Sequence, residues 1–404
     1  MTFTPPRFTR YLLWPGVFLF IVPAALCAYY LMPFPGSQEP DVIAPIYRLY
    51  AIVPFLQIPG LAMMIVPVAV AFINGSTWRR IRMGILVLVC GAIWNFSTQQ
   101  MTAEHLFQEP ATVTFAVGAT SAVPLETIVL GVSANGVSKA YPIRFLAFHH
   151  KVHDSIGAQP ILVTYCSMCR TGRVYNPVIN GKVQHFRLVG ARQYNAVIED
   201  DETKSWWYQA TGEAVTGPRT GMMLDEIRSE EMTLRAWLAM HPNSLVYQPD
   251  AASEEGYHMF GFAKWDSVRP PQAYYDSSQY TWNLRSWVIG VTTGNHAKAY
   301  PWSLVMKARV LNDSLDGAQM VLVIESDSLS FHVWNRMVHD TVLTFAPVDS
   351  LTMRDKETNS MWNWSGACVN GPLAGQQLTP LRAFREYWHA WKTFFPHTGK
   401  FGEF

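Results

Sequence analysis

Cys166-Ser167-Met168-Cys169 follows the apolar run Ile161 to Tyr165, and His149, His150 and His153 stand just upstream of it. Two thiols spaced by two residues with imidazoles nearby open three chemistries. The first is a soft metal site. Two thiolates, an imidazole and the Met168 thioether suit Cu(I), or Zn(II) if a fourth ligand completes a tetrahedron, with copper ahead of zinc. Its candidate ligands are Cys166, Cys169 and Met168 with His149, His150 or His153; His185 reads as a strand residue. The second is thiol–disulfide exchange, in which Cys166 attacks, Cys169 resolves, and Arg170 with a histidine stabilises the thiolate. A thioredoxin-type pair opens a helix, whereas Arg170-Thr171-Gly172 leads into another strand pattern. The third is a structural disulfide, which an oxidising compartment permits. Closing so short a loop is worth only about 2 kcal/mol in the chain-entropy model. In that last case the chain is a non-catalytic module that presents a surface to another envelope protein. No nucleophile elbow, Walker loop or paired-metal motif occurs, so the sequence fixes neither a substrate nor a reaction.

An internal duplication separates scaffold residues from special ones. The segment VLGVSANGVSKAYP, ending at Pro142, matches VIGVTTGNHAKAYP, ending at Pro301. Asp154-Ser155 with GAQPILV matches Asp313-Ser314 with GAQMVLV, and ETKSWWYQATGEAVTGP from Glu202 matches ETNSMWNWSGACVNGP from Glu357. Each copy closes on a Trp-rich helical pattern, as repeat architectures repeat whole supersecondary units. Tyr-Pro, the aspartates 154 and 313, Trp207 with Trp362, and the Gly-Pro pairs recur, so they read as turn and packing residues. The thiols belong to the first copy alone, since the matching strand of the second runs into Glu325-Ser326-Asp327-Ser328-Leu329. His149, His150 and His153 likewise align with Ala308, Arg309 and Asn312.

The set Ala140-Tyr141-Pro142, His149 with Asp154, Thr164-Tyr165-Cys166 with Cys169, and Trp207 through Gly212 resembles the bacterial family of domain of unknown function 3179, over roughly residues 110 to 250. The second copy resembles a diverged version of the same unit. The resemblance implies shared architecture and importance of the Cys-x-x-Cys segment, and it implies no substrate. The familiar motif is closer to TYCPLCG, where this chain has Ser167, Met168 and Arg170; His150 and His153 replace a glutamate and an asparagine usual before the aspartate.

The elements that must position these residues follow from pattern. Asn135-Gly136 between β-branched runs predicts a hairpin, Pro142 opens a short helix through Phe148, and the strand after it turns at Asp154 to Gly157 to pair with 160 to 165. A further hairpin is expected around Asn180-Gly181, from Val174-Tyr175-Asn176 and Val183 to Leu188. Tyr194-Asn195 differs between the copies and is a candidate for the site's rim, while Trp206, Trp207 and Tyr208 read as core or pocket wall.

The chain carries 31 basic against 30 acidic residues, which gives no reason to expect nucleic acid, and only 15% charged residues against roughly 25% for soluble domains. The deficit lies near the start. Tyr11 to Ser37 is free of charge, Leu49 to Ile73 is apolar with Pro54, Pro59 and Pro67 to kink it, and Ile81 to Phe96 is a shorter third span. Arg7 and Arg10 precede the first span and Arg79, Arg80 and Arg82 fill the second loop, whereas Glu39 and Asp41 lie in the first. By the positive-inside rule the arginine-rich sides are cytoplasmic and everything after about residue 99 is extracytoplasmic. A cleaved signal peptide at the first span is the rival reading, and it leaves that orientation unchanged. The expectation is therefore an α+β protein of the inner membrane, with the lipid bilayer as partner: three transmembrane helices over 1–99, then a duplicated, mainly antiparallel-β periplasmic part with short helices, the cysteine-bearing repeat at 100–250 and a degenerate one at 251–404. The junction is expected near Pro249 to Gln279, around Pro270-Pro271.

Overall fold

The computed structural model describes residues 9–259 and 282–402; Arg7 and most of the expected junction, with Pro270-Pro271, lie outside the described residues. Three long apolar helices come first: α1 (Thr9–Leu31), α2 (Ile43–Asn74) and α3 (Thr77–Asn95), the last continued by a π-helical turn at Phe96–Gln100. All three are long and apolar enough to cross a membrane. The third is longer than its sequence pattern suggests, because the arginines at its start and Asn95 near its end are helical too. The prolines of α2 do not break it. Packing explains how α1 and α2 approach: a Cβ on Gly60 would stand 2.8 Å from the Phe20 nitrogen and 3.0 Å from the Gly16 carbonyl oxygen. Small residues at such a crossing let two membrane helices touch along their backbones. Trp14, Phe18, Phe55, Ile58 and Leu88 stay exposed, the pattern of a lipid-facing surface, while Cys27 and Cys90 are buried among apolar neighbours.

By packing, the chain divides into two compact units that interleave in sequence. One comprises residues up to Gln108 with His185–Tyr208 and Glu213–Met223; the other comprises Glu109–Gln184, Gln209–Gly212 and the chain from Leu224. In the first unit, Phe186–Arg192, Asn195–Asp200, Trp206–Tyr208 and Ala214–Thr216 form an antiparallel meander. At 1.5 Å per residue α2 is about 48 Å long against a hydrocarbon core of about 30 Å, so it has turns to spare. Its opening turns carry Tyr47 and Tyr50, whose rings pack edge-on to Trp206 at 5.2 and 5.6 Å. The Arg192 guanidinium donates to the carbonyls of Tyr30 (3.0 Å), Ser37 (2.5 Å) and Pro40, tying the α1–α2 loop to this sheet. The turn bearing Arg79 and Arg80 lies at the opposite end of α2.

The second unit holds the second copy and most of the first, whose block from Glu202 to Pro218 lies largely in the first unit. In the first copy Ile128–Ala134 and Val137–Pro142 form a hairpin through Asn135 and Gly136, both at positive φ, followed by the helix Ile143–His149 and the pair Lys151–Ile156 with Gln159–Cys166. The second repeats this as Trp287–Thr293 with His296–Pro301, the helix Trp302–Ala308, and Val310–Leu315 with Ala318–Ile324. Even the polar contacts recur. Lys139 and Tyr141 bind Asp154 at 2.7 and 2.6 Å; Lys298 and Tyr300 bind Asp313 at 2.6 and 2.9 Å. The turn at Asn180-Gly181 forms, but between the two-residue strands Val178–Ile179 and Lys182–Val183. Val174 and Tyr175 pair instead with Val163 and Leu162, because Pro177 and the Asn176 side chain, which accepts from the Val178 N–H, interrupt the run. Phe186–Arg192 consequently pairs with Asn195–Asp200.

Candidate functional site

The cysteines occupy the tip of a hairpin. Gln159–Cys166 pairs with Thr171–Tyr175 in a register that sets Cys166 opposite Thr171, leaving Ser167 to Arg170 as the turn. The Arg170 N–H returns to the Cys166 carbonyl at 2.8 Å, and Arg170 takes a left-handed φ of 59° to close the turn. This geometry brings the two sulfurs within 3.0 Å of each other without a disulfide between them. Both cysteines are fully buried, whereas Ser167, Met168 and Arg170 are half-buried.

The histidines separate because the backbone reverses between them. His150 caps its helix at a φ of 60°, and its Nε2 comes to 3.3 Å from the Ser167 hydroxyl, over the cysteine turn. His149, still helical, directs its Nε2 to the Tyr257 hydroxyl at 2.8 Å. His153 lies along the strand Lys151–Ile156, opposite Leu162, on the rung that follows from its place in the hairpin. Among the described residues no His, Asp or Glu joins the two sulfurs in a three-ligand cluster. Tyr194 and Asn195 form the turn and first strand residue after Arg192 in the other compact unit, where the Tyr194 N–H meets the Gln38 side chain at 3.4 Å. His185 precedes Phe186–Arg192 in that unit too, and Trp206, Trp207 and Tyr208 are core there.

The second copy supplies the rest of the site, which sequence spacing does not announce. The strand Ala383–Tyr387 runs into the helix Trp388–Phe394, and this corner sits against the cysteine turn. The Tyr387 N–H donates to the Cys169 carbonyl at 2.9 Å, and the His389 ring lies near the Met168 backbone, which favours its protonated form against burial. Below the turn, Arg173 is buried against the Phe384 ring at 3.4 Å and between the carboxylates of Glu386 (3.5 Å) and Glu226 (3.7 Å). Beside it Glu231 and Arg385 form a buried ion pair, and burial pushes the Glu231 carboxyl up despite that partner.

The matching turn of the second copy shows what the thiols replace. There Asp327, in the place of Met168, accepts the N–H groups of Leu329 and Ser330 at 2.9 and 2.8 Å and the Thr233 hydroxyl at 3.0 Å. Arg309, in the place of His150 and at the same φ of 61°, reaches Ser328 Oγ at 3.1 Å. One turn is locked by hard oxygens and a guanidinium; the other carries sulfur and imidazole.

Both imidazoles over the cysteine turn are neutral at pH 7. Burial, helped by neighbouring His149 and Lys151, pushes His150 down to about 4, and burial also takes His389 to about 4. A depressed histidine pKa means that the unfolded chain binds the proton first. The contribution of these histidines to stability is therefore flat above about pH 6.5 and falls as the pH drops from there toward 4, by at most about 3 kcal/mol for His150. Thermal denaturation from pH 7.5 to 5 in detergent should show this decline, and a His150→Gln chain should show a shallower one.

A family model described as protein of unknown function (DUF3179) matches residues 109–398. The chain belongs to that family. The DUF3179 match extends past the first copy and takes in both. No curated protein and no solved structure matches the chain.

Proposed function

We propose that this is a membrane-anchored extracytoplasmic DUF3179 protein whose Cys166–Cys169 pair cycles between dithiol and disulfide. The observation that carries the reading is the 3.0 Å approach of two buried sulfurs at a hairpin tip. Two thiolates sharing a tetrahedral metal at ~2.3 Å stand about 3.7 Å apart. A metal would have to spread this pair and recruit further ligands, whereas a disulfide needs one closing movement of about 1 Å. Oxidation removes a proton from each thiol and two electrons from the pair as the Sγ–Sγ bond forms. The electrons reduce a disulfide of an envelope partner, which departs as two thiols after a mixed-disulfide stage. The arginines at the start of α3, by the positive-inside rule, support a cytoplasmic α2–α3 end and a cysteine repeat outside an inner membrane.

Copper(I) capture is the second reading, favoured by the neutral state of His150, which is the protonation state a ligand requires. One set of measurements on the purified full chain tests both. Thiol counting in buffers of graded redox potential should reveal a reversible two-electron couple that is lost in Cys166→Ser and in Cys169→Ser. Thiols that resist oxidation while about one equivalent of copper or zinc copurifies, and leaves with the double serine variant, would overturn the dithiol reading in favour of the metal.

A further inference from the structure

Two backbone groups of the cysteine turn meet the second repeat. The Tyr387 N–H donates to the Cys169 carbonyl at 2.9 Å, and the His389 ring lies near the Met168 backbone. The pseudo-equivalent corner of the first repeat also touches the second repeat's turn, but there Thr233, at the start of the helix Leu234–Met240, donates to side-chain oxygens of Ser330 and Asp327 and not to backbone carbonyls. The two turns differ in what else fixes them. Asp327 bridges its own turn with three hydrogen bonds, to Leu329 N–H, Ser330 N–H and Ser330 Oγ (2.6 Å). Met168, in its place, has no oxygen with which to do so. The thiol-bearing turn lacks that internal side-chain bridge, and the neighbouring repeat holds its backbone at the Cys169 carbonyl. That neighbour is a firm support, since the Tyr387 ring packs on Trp287 at 4.6 Å and the strand beneath it pairs in full with Trp287–Val291.

We infer that His389 is a positioning residue for the cysteine pair, and that the corner Tyr387–His389 sets both the dithiol–disulfide balance and the access of a partner to the buried sulfurs. The inference rests on the dithiol reading above. Its physics is that these two contacts fit the turn in which the sulfurs are unbonded. Forming the Sγ–Sγ bond shifts that turn and strains them, so they favour the dithiol. They also hold the Tyr387–His389 corner against the turn, so a thiol reagent or partner sulfur that approaches Cys166 from this side has to displace it.

The experiment uses the full chain in detergent, with redox titration and the rate of maleimide alkylation as readouts. His389→Ala should shift the balance toward the disulfide about tenfold, which is a reduction potential ~30 mV more negative, and should speed alkylation of the reduced pair. His389→Gln, which keeps a side-chain N–H donor, should return both toward the parent. Tyr387→Pro removes the backbone donor at a residue whose φ of −76° already suits proline, and should move both readouts in the same direction as His389→Ala. A reversible couple whose potential and alkylation rate are unmoved in His389→Ala and in Tyr387→Pro overturns this inference alone. Absence of any couple in the parent chain overturns the dithiol reading, and this one with it. If His389→Ala does not fold, Tyr387→Pro decides by the same two readouts, and unmoved values there overturn the inference.

Discussion

An Arg385→Met chain should lose about 3–5 kcal/mol of stability, the largest single loss expected in the duplicated part, because it strands the Glu231 carboxylate in a buried site. Arg385 and Glu231 are 7% and 6% exposed, and the guanidinium also donates to the Leu329 carbonyl at 3.0 Å while lying over the rings of Trp287 and Trp302. Glu231 escapes the penalty only by taking a proton, so the variant should recover part of its loss as the pH falls, opposite in sign to the His150 effect. Glu231→Met with Arg385→Met removes both charges and should come close to the parent, since replacing a whole buried pair by apolar side chains is often neutral. Chemical denaturation of the four chains of the cycle measures this. Near-additive losses in the double variant would mean that the two residues are not coupled.

That pair also bears on how the duplication works. Glu231 stands opposite Leu130 in its ladder and Arg385 opposite Ile289, and Leu130 and Ile289 are the same position of the repeat. The two partners are thus equivalent residues meeting each other. In a symmetric pair of identical units such a position faces its own copy, and a charge there repels itself. Two copies in one chain are free to diverge, one to acid and one to base. The cysteine turn follows the same course, with sulfur on one side and Asp327 on the other.

Sequence reasoning reaches local structure well and the site only partly. Asn135-Gly136, Pro142 and the Ile161 to Tyr165 run each carry their element in a few consecutive residues, and the structure forms each there. The placement of the histidines was not legible, because it turns on one backbone angle: at His150 the left-handed φ sends His149 toward Tyr257 and His150 over Ser167. Nothing in residue spacing reports that angle. Tyr387 and His389 lie more than two hundred residues from the thiols, beyond any pattern of local periodicity. A signal for His389 did exist, since it stands where the first copy has Arg235, one residue into each closing helix. Comparing the copies along those helices, as along the cysteine strands, singles it out.

The same comparison yields a stability prediction of a different kind. Gly131 and Gly290 recur in the VLGV and VIGV segments, and the reason is a tryptophan roughly a hundred residues later in each copy. A Cβ on Gly131 would fall 2.3 Å from the Trp237 ring, and one on Gly290 would fall 2.1 Å from the Trp391 ring. Both rings are fully buried and tethered through Nε1, to Ser244 Oγ at 2.7 Å and Thr398 Oγ1 at 2.8 Å, so neither can swing away cheaply. Gly131→Ala and Gly290→Ala should therefore each cost about 3 kcal/mol, the upper end of the usual range for overpacking, although alanine suits an ordinary strand better than glycine does. Shrinking the ring separates steric conflict from backbone effects: Gly131→Ala with Trp237→Leu should be less destabilised than the sum of the two single changes, because the leucine vacates the space that the new methyl needs. Strict additivity in that cycle, read by thermal denaturation, would show that the close ring is not what requires the glycine.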